Sequence, residues 1–564
     1  MSLNTINYAC RCIVEILQEG GVEEVVACPG SRNTPLLIAL SRCPKLKTTV
    51  VVDERTAGFI ALGKALVSES PVAVVCTSGT ALLNFAPAVA EAYYRKVPLF
   101  VISADRPVEW IDQDDSQTIR QFRAFQNFVK NSYDIPAYVA GDTKWYVNRI
   151  INDALISVRM QPVGPVHVNV QIPEPIGKLM EVADPKERQI RLVEPVSELG
   201  ADTLTDLAAL LESPSKVMVI AGFSAPDEAL NRALKSLSRL PNVVVLTETL
   251  ANLRGDDFVC EIDATLSAMS EREREELAPD VVISFGGALV SRMVKQYIRD
   301  TRPAQHWHVG HSLTTVDCFM SLTLRIELDP AAFFGCLAEK LSPDGRVSDY
   351  RRRWIVARDA ARSLHQSYVA RAPWSDLKAF SVMMPRIPGN YNLQLSNGTP
   401  VRYAQLFGGF TFHRSDCNRG VSGIDGSTST ALGAMTVYKS APTLLITGDM
   451  SAQYDVGALG SGLLSSAFKM IVMCNGGGGI FHFIKSTRDL DIVDRCFDQP
   501  CSFPAERLSQ AYGLRYFEAA DEDSLRASLP EFLNETEKPA MLAVITDGEL
   551  SGEVLAGYFA QKRP

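Results

Sequence analysis

The hydrophobic residues of this chain fall into short continuous runs, and stretches with helical spacing separate them. A continuous apolar run bounded by glycine or polar residues is typical of a strand buried on both faces of a parallel sheet. Strands that alternate with helices predict a doubly wound α/β fold. The runs lie at residues 24–28, 48–53, 72–77, 99–103, 166–172, 216–220, 243–247, 281–285, 306–309, 324–328, 391–395, 443–447, 470–475 and 541–546.

The runs form three groups, and we predict one parallel-sheet domain for each group. The predicted domains are residues 1–180, 200–340 and 370–564. Residues 177–200 are charged and irregular, which predicts a linker, and residues 350–368 predict a helical connection into the third group. Residues 4–21 combine apolar periodicity with acidic side chains, so they predict a first helix and lack a signal-peptide pattern.

Composition restricts the class of protein. Over 564 residues, 46% are hydrophobic and 21% are charged, as in globular proteins. The formal net charge of −9 argues against a nucleic-acid partner, and no apolar run is long enough to span a bilayer. The 12 cysteines are scattered and form no CxxC pair, which favours free thiols in a reducing cytoplasm over disulfides or zinc. We therefore expect a cytoplasmic protein.

The second group of runs contains two motifs with little functional signal. The run at 216–220 is followed by Ala-Gly-Phe-Ser-Ala, which is not the GxGxxG fingerprint of dinucleotide binding. Alternation places His306 and His308 on one face of a short strand. No carboxylate or cysteine clusters beside them in the sequence, so we favour a structural role over a metal site.

Polar residues and glycines follow two runs of the third group. Gly448-Asp449-Met450-Ser451 follows one run, and Asn475-Gly476-Gly477-Gly478 ends the next. Ligands of open α/β sheets bind at the carboxyl ends of strands, and oxygen ligands suit Mg²⁺. Glycine lets the backbone approach a phosphate closely. The pattern predicts a metal–phosphate site, with two ordinary strand-to-helix turns as the alternative.

This pair of segments resembles the diphosphate–metal motif of thiamine diphosphate-dependent enzymes. The resemblance implies that Asp449, Asn475 and the carbonyl of Gly477 bind Mg²⁺, for which Mn²⁺ is expected to substitute. It also implies that a large aliphatic residue, Ile424, holds the two cofactor rings in a bent shape. The other residues implied to contact thiamine diphosphate are Ser422, Gly448, Met450, Ser451 and Ile480.

The same resemblance implies a catalytic glutamate after the second strand of the first domain. The run at 48–53 is followed by Glu54. In the family, a carboxyl group hydrogen-bonded to the aminopyrimidine ring promotes the tautomer that removes the C2 proton of the cofactor. The alternative is a surface glutamate that opens a helix, where the helix dipole favours it. Because the family builds each site from two subunits, a homodimer, or a tetramer of two dimers, is implied.

Further segments narrow the resemblance. Residues 28–35 (CPGSRNTP), 77–81, 103–107, 117–119 and 418–426 (NRGVSGIDG) together resemble the 2-succinyl-5-enolpyruvyl-6-hydroxy-3-cyclohexene-1-carboxylate synthase family of menaquinone biosynthesis. The match covers the first and third groups and is loose in the second. It implies a transferase that decarboxylates 2-oxoglutarate and adds the resulting carbanion to isochorismate.

Both implied substrates are dianions, and arginine binds carboxylates in a bidentate manner while staying charged when buried. The expected substrate-binding residues are Ser31, Arg32, Arg106, Gln117, Arg292, Arg402, Arg419, Phe481 and Ile484. For each arginine the alternative is a solvated surface charge, which is strongest for Arg292. His482 lies beside Phe481 without an implied role.

Two positions depart from the family pattern. Ser291 stands where the family often has lysine, and Gly398 stands where it often has serine. Both concern how a substrate carboxylate is held. Two other functions stay open: another thiamine diphosphate-dependent decarboxylase or acetohydroxyacid synthase-like carboligase, and a non-catalytic protein that binds the cofactor.

Overall fold

The computed structural model describes residues 2–182, 187–195, 197–212, 215–342, 347–408, 412–479, 490–497 and 500–561. These residues form three parallel β-sheets flanked by helices and one two-stranded antiparallel sheet. The predicted α/β class, with doubly wound parallel sheets, is confirmed. Parallel strands need crossover connections, which the intervening helices supply.

The small antiparallel sheet consists of β1 (Ser2–Thr5) and β8 (Leu179–Val182). The first large sheet has the strand order β3-β2-β4-β5-β7-β6. Its strands are β2 (Glu24–Ala27), β3 (Lys47–Val50), β4 (Val72–Cys76), β5 (Leu99–Asp105), β6 (Ser132–Ile135) and β7 (Val166–Gln171). β4 and β5 are buried along their whole length, as their apolar sequences require.

The second large sheet has the order β10-β9-β11-β12-β13. Its strands are β9 (Val217–Ala221), β10 (Val243–Thr247), β11 (Val281–Phe285), β12 (Gln305–Val309) and β13 (Leu324–Ile326). The direction in which successive strands are added reverses between β9 and β11.

The third large sheet has the order β15-β14-β16-β17-β19-β18. Its strands are β14 (Asn392–Leu395), β15 (Arg414–Cys417), β16 (Thr443–Gly448), β17 (Phe468–Cys474), β18 (Arg515–Ala519) and β19 (Ala540–Ile545). When the strands of each sheet are numbered along the sequence, the third large sheet has the same strand order as the first. Both sheets therefore reverse between their first and third strands, which are β2 and β4 in one and β14 and β16 in the other.

The helices pack on the faces of these sheets. They span Tyr8–Glu19, Thr34–Ser41, Glu54–Ser68, Thr80–Asn84, Ala86–Arg95, Asp142–Arg159, Ala201–Leu210, Glu228–Leu237, Ile262–Ala268, Glu271–Glu276, Arg292–Thr301, Pro330–Lys340, Tyr350–Arg371, Asp376–Met383, Thr399–Ala404, Ser427–Val437, Asp449–Tyr454, Ala505–Tyr512, Glu522–Leu533 and Gly548–Ala560. In the described part of the chain, no helix is long and apolar enough to cross a membrane.

Several strands escaped the sequence prediction for a physical reason. β6, β15 and β18 are sheet edges, and short edge strands with polar residues show no apolar run. β15 is buried but polar, because Arg414 pairs with Asp416 at 2.7 Å. The predicted linker at residues 177–200 is wrong at β8, which is a strand that pairs with β1. The predicted first helix at residues 4–21 starts too early, because its first residues belong to β1 and the helix begins at Tyr8.

The chain folds into two compact units. The first consists of Met1–Glu194, Gly420–Thr443 and Tyr454–Phe468, and the second consists of Pro195–Arg419, Leu444–Gln453 and Lys469–Pro564. The first unit holds the first large sheet, and the second unit holds the other two large sheets.

The histidines of β12 contact protein groups. The Ser284 hydroxyl lies 2.9 Å from His306 Nε2 and 3.0 Å from His308 Nδ1. Burial lowers the pKa of His306 to about 4, so its ring is neutral. Among the described residues, no group of three or more His, Cys, Asp or Glu side chains is arranged to hold a metal. The structural role that we favoured fits these contacts.

Candidate active site

Asp449 links the two glycine-bearing loops of the third large sheet. It is the first residue of a short helix after β16 and is 2% exposed. One carboxylate oxygen accepts the Met450 N–H at 2.7 Å, and the other accepts the Gly476 N–H, which follows β17, at 3.0 Å. The carboxyl ends of β16 and β17 are therefore held together through one buried carboxylate.

The electrostatic surroundings of Asp449 favour a cation. The pKa of Asp449 is raised to about 6, mainly by burial, and the nearby carboxylate of Asp376 contributes to this rise. The two backbone donors lower the pKa but do not offset the burial. A divalent cation at this carboxylate would stabilise its ionised form.

Asn475 presents an oxygen atom that has no protein partner in the described part of the structure. Its Nδ2 donates to Asp376 Oδ2 at 2.9 Å, and its Oδ1 is buried and accepts no hydrogen bond from a described residue. A buried polar oxygen without a partner is costly, and metal ligation removes that cost. Asp376 in turn accepts from Thr546 Oγ1 at 2.5 Å. The donor set of one carboxylate and one amide oxygen fits Mg²⁺ or Mn²⁺.

Asp376→Asn is expected to weaken Mg²⁺ binding about 10- to 100-fold, the usual range for groups that orient a metal ligand. The change removes the negative acceptor that turns the Asn475 amide. A Mg²⁺ titration of thiamine diphosphate binding by calorimetry measures it. Thr546→Val, which removes only the second contact of Asp376, is the control and should have a smaller effect. An unchanged Mg²⁺ affinity in folded Asp376→Asn protein would contradict this role.

The glycines of the two loops leave room for a bound group. Gly448 has no atom within 4 Å of the position that a Cβ would occupy. Gly476 and Gly477 have φ angles of 88° and 139°, which side chains rarely adopt. The Gly477 carbonyl accepts the Gly479 N–H at 2.8 Å and keeps a second lone pair. These properties fit a diphosphate–metal site.

The structure describes some of the other residues expected to contact the cofactor, and not others. Ser451 is buried and Met450 is half-buried in the helix that Asp449 opens. The expected residues Ile480, Phe481 and Ile484, and also His482, lie outside the described residues.

Glu54 is the first residue of the helix Glu54–Ser68 in the first compact unit. Asp53 caps this helix, because its carboxylate accepts the N–H groups of Arg55 at 2.9 Å and Thr56 at 3.2 Å. Glu54 is therefore not needed as the cap. Its carboxylate is half-buried and accepts from Asn84 Nδ2 at 3.2 Å. The Glu54 carboxylate is therefore accessible to a ligand, and the capped helix and the contact with Asn84 position it.

A buried glutamate that we did not expect holds the loop after Arg419. The two carboxylate oxygens of Glu91 accept the N–H groups of Gly420 and Val421, each at 2.7 Å. The same loop carries Ser422, with φ of 64°, and Ile424, which is 38% exposed. Sequence reasoning missed Glu91 because it lies within an ordinary helix far away in the chain.

Glu91→Gln is expected to lower the free energy of unfolding by about 2 kcal/mol and kcat about tenfold. Glutamine has one acceptor oxygen, so its amide group would oppose one of the two N–H donors. Thermal unfolding and steady-state kinetics measure the two effects. The exposed Glu531→Gln is the matched control, and equal behaviour of the two variants would exclude a role in holding the loop.

Arg32 lies where the first large sheet reverses, in the loop after β2. It is buried, donates to the Ile172 carbonyl at 2.9 Å and pairs with Glu174 at 3.1 Å. The loop approaches the end of β4 closely, because a Cβ on Gly30 would lie 2.3 Å from Thr77 Cβ. Glycine is therefore required for this packing.

Arg106 directly follows β5 and faces the same region as Arg32. It pairs with Asp115 at 2.9 Å and donates to the Ser116 carbonyl at 3.0 Å. Burial lowers the pKa of Arg32, and the positive charge of Arg106 lowers it further. Two interacting guanidinium groups make this edge of the sheet suited to an anion. Ser31, beside Arg32, is exposed.

Gln117 packs on the glycine turn after β4. Its φ angle is 60°, and a Cβ on Gly79 would lie 3.0 Å from Gln117 Cγ. Gln121, which we did not expect, accepts the Gly79 N–H at 2.7 Å and donates to the Ala104 carbonyl and to Asn169 Oδ1, each at 3.0 Å. Gln121 thus fixes the turn against which Gln117 rests.

The second compact unit brings together the three other expected arginines. Arg419 donates to Asn397 Oδ1 at 3.1 Å and to the Leu289 carbonyl at 3.3 Å, and Arg402 donates to the Gly398 carbonyl. The pKa of Arg402 is lowered to about 10, mainly by burial and in smaller part by the charges of Arg419 and Arg292. Their mutual repulsion would be relieved by a bound carboxylate.

Arg402 and Arg419 lie near the Asp449 loop. Ser396 Oγ accepts the Gly448 N–H at 3.4 Å, and the next residue, Asn397, accepts from Arg419. The loops after β14 and β16 therefore meet where the third large sheet reverses.

The two departures from the family pattern have local explanations. Ser291 caps its helix by accepting the Val294 N–H at 3.1 Å, and its hydroxyl donates to Asp263. Glu248 accepts the N–H groups of Val290 and Ser291 at 2.8 and 2.7 Å. Gly398 has φ of 98°, where any side chain would be strained.

Known proteins resemble this chain over nearly its whole length. Residues 9–124 match the family model described as the thiamine pyrophosphate enzyme N-terminal TPP-binding domain. A 2-succinyl-5-enolpyruvyl-6-hydroxy-3-cyclohexene-1-carboxylate synthase of Porphyromonas gingivalis is 41% identical over 97% of this chain and 96% of its own length. The chain belongs to this synthase family. Synthases of Flavobacterium johnsoniae and Bacteroides thetaiotaomicron are 35% and 34% identical over 98% and 97% of the chain, and each match covers 98% of the relative. Family membership makes the chain a thiamine diphosphate-dependent enzyme with small-molecule substrates.

Proposed function

We propose that this synthase-family chain decarboxylates 2-oxoglutarate and joins the remaining four-carbon unit to isochorismate, giving 2-succinyl-5-enolpyruvyl-6-hydroxy-3-cyclohexene-1-carboxylate and CO₂ for menaquinone biosynthesis. The observation that carries the proposal is the adjacency of Arg402 and Arg419 to the Asp449 loop. A cofactor held at Asp449 would have guanidinium groups next to it, as dicarboxylic substrates require.

When bound, thiamine diphosphate supplies a nucleophilic C2 carbon and an electron sink for decarboxylation. Asp449, Asn475 and the Gly477 carbonyl would hold Mg²⁺ or Mn²⁺, and Gly448, Met450 and Ser451 would contact the diphosphate. Glu54 would hydrogen-bond the pyrimidine ring and hold its proton. Ser422 and Ile424 would support the rings, and Ile480 would contribute the remaining cofactor contact.

In this proposal, different arginines bind the carboxylates of the two substrates. Arg402 is the first choice for the distal carboxylate of 2-oxoglutarate, because it is half-buried and lies near the cations Arg419 and Arg292. The acceptor carboxylates are assigned mainly to Arg32, Arg106 and Arg292. Polar and apolar residues complete the proposed site: Ser31, Gln117, Arg419, Phe481 and Ile484.

We also propose a dimer or larger assembly with three domains per chain, at residues 1–180, 200–340 and 370–564. The support is an exposed apolar rim beside Glu54 in the first compact unit. Val52 is 76% exposed and Leu83 is 46% exposed. Apolar side chains beside a reactive carboxylate suggest a surface that a second copy covers. The 12 free cysteines support a reducing cytoplasm as the place of action.

The test combines the purified protein with thiamine diphosphate, Mg²⁺, 2-oxoglutarate and isochorismate. Mass spectrometry should find one product that retains the enolpyruvyl group, with one CO₂ released for each isochorismate consumed. Release of CO₂ without consumption of isochorismate would favour a simple decarboxylase. Reaction of pyruvate in place of 2-oxoglutarate would favour an acetohydroxyacid synthase-like enzyme.

A further inference from the structure

Lys295 and Arg419 converge on one backbone carbonyl. Lys295 Nζ donates to the Leu289 oxygen at 2.9 Å, and Arg419 Nη2 donates to the same oxygen at 3.3 Å. Because both nitrogens contact one atom, they lie within about 6 Å of each other, where two like charges repel strongly at reduced dielectric constant. The two cations approach each other from separate elements, since Lys295 lies on the helix Arg292–Thr301.

Lys295 thereby enlarges a cluster of positive charges, which we call the four-cation cluster. Its members are Arg292, Lys295, Arg402 and Arg419, and Arg299, which donates to the Cys318 carbonyl, adds a further positive charge near Lys295. Two carboxylates face it: Glu248 acts on Lys295 and Arg419, and Asp263 acts on Lys295 and Arg402. Burial raises the pKa of Glu248 to about 7 and also raises that of Asp263. Even when both are ionised, two carboxylates compensate only part of the charge of four cations.

The two carboxylates are also engaged elsewhere. Glu248 accepts the N–H groups of Val290 and Ser291, and Asp263 accepts the Ser291 hydroxyl. Glu248 and Asp263 thus fix the turn in which the Leu289 carbonyl accepts hydrogen bonds from Lys295 and Arg419. The turn is thus a platform that holds Lys295 and Arg419 side by side.

The platform leaves donors for a ligand. An ammonium group has three N–H donors, and the Leu289 carbonyl takes one of those of Lys295. Within the described residues, Arg419 Nε is buried and donates to no acceptor. A buried guanidinium nitrogen without a partner is costly, and a carboxylate oxygen is its usual partner.

We propose that Lys295, together with Arg419, binds a carboxylate group of a substrate acid, so that the specificity site of this enzyme includes a lysine one helical turn beyond Ser291. The inference rests on the function proposed above, because that reaction supplies two dicarboxylate substrates. The carboxylate belongs either to the oxoacid donor or to the cyclic acceptor. In both cases the excess positive charge of the four-cation cluster is neutralised when substrate binds.

A purely structural role for Lys295 makes different predictions. If it only caps the Leu289 carbonyl, its loss would lower the melting temperature without a selective effect on either substrate. In that case Lys295→Arg would have no selective effect on the KM of either acid. The KM values of the two acids, measured separately from kcat, distinguish the two roles.

The experiment compares Lys295→Gln, Lys295→Arg and the wild-type enzyme loaded with thiamine diphosphate and Mg²⁺. We expect Lys295→Gln to raise KM for one acid about 10- to 100-fold, as for loss of a charged hydrogen bond. KM for the other acid and kcat should stay within about threefold, and Lys295→Arg should restore the affected KM. Lys340→Gln, an exposed lysine on another helix, is the control for the lost charge.

The acid whose KM rises identifies the source of the bound carboxylate, and either acid supports the proposal. Unchanged KM values for both acids, or a lower melting temperature with equal rises that Lys295→Arg does not reverse, would overturn the role of Lys295 alone. If the wild-type enzyme consumes no isochorismate in the presence of 2-oxoglutarate, the proposed function fails and this inference fails with it.

Discussion

Glu54→Gln is expected to slow exchange of the C2 proton of bound thiamine diphosphate about 10²- to 10⁴-fold, the range for loss of a positioned acid–base group. Glutamine has the same size as glutamate, but its amide group cannot share a proton with the pyrimidine ring as a carboxyl group can. Asp53 already caps the helix, so the fold should not depend on the Glu54 carboxylate. Acid quenching in deuterated water followed by NMR measures the exchange.

The control for Glu54 has two parts. Cofactor affinity should stay within about threefold in Glu54→Gln, because other residues contact the diphosphate and the metal in the proposed site. Glu23→Gln, an exposed glutamate of the same compact unit, should exchange at the wild-type rate. A normal exchange rate in Glu54→Gln would remove Glu54 from catalysis and leave it as a half-buried residue that begins a helix.

Asp449→Asn is expected to weaken metal-dependent binding of thiamine diphosphate about 100-fold or more, since groups that merely orient metal ligands already account for 10- to 100-fold. The substitution removes the negative charge that a divalent cation would neutralise. It also turns one acceptor oxygen into a donor that opposes a backbone N–H of Met450 or Gly476. Calorimetry with and without Mg²⁺ measures the loss.

Asn475→Ala tests the same site without a change of charge. It removes the unpartnered oxygen and should weaken Mg²⁺ binding in the same direction. Asp523→Asn, at an exposed aspartate in the first turn of another helix, is the matched control for Asp449→Asn. Wild-type affinity in both Asp449→Asn and Asn475→Ala would show that the cofactor binds elsewhere.

The positions of Asp449 and Asn475 were predictable because buried parallel strands are continuous apolar runs. The end of such a run shows where a polar residue meets the carboxyl edge of the sheet. β16 and β17 are buried along nearly their whole length and end beside these two residues. Edge strands such as β6 and β15 gave no such signal, because polar residues interrupt them.

The residues that support the site could not be predicted in the same way. Asp376 lies 99 positions from Asn475, and Glu91 lies 329 positions from Gly420. Each occurs in an ordinary helix, and only tertiary folding aims its carboxylate at the site. The shared strand order of the first and third large sheets was also hidden, since topology repeats without a repeated sequence.

The most direct measurement follows the absorbance of isochorismate with the purified enzyme while each component is omitted in turn. Loss of absorbance that requires 2-oxoglutarate, thiamine diphosphate and Mg²⁺ together is the predicted result. No loss with all components present, or a loss that persists without 2-oxoglutarate or the cofactor, would contradict the assignment of this chain as the carboligase.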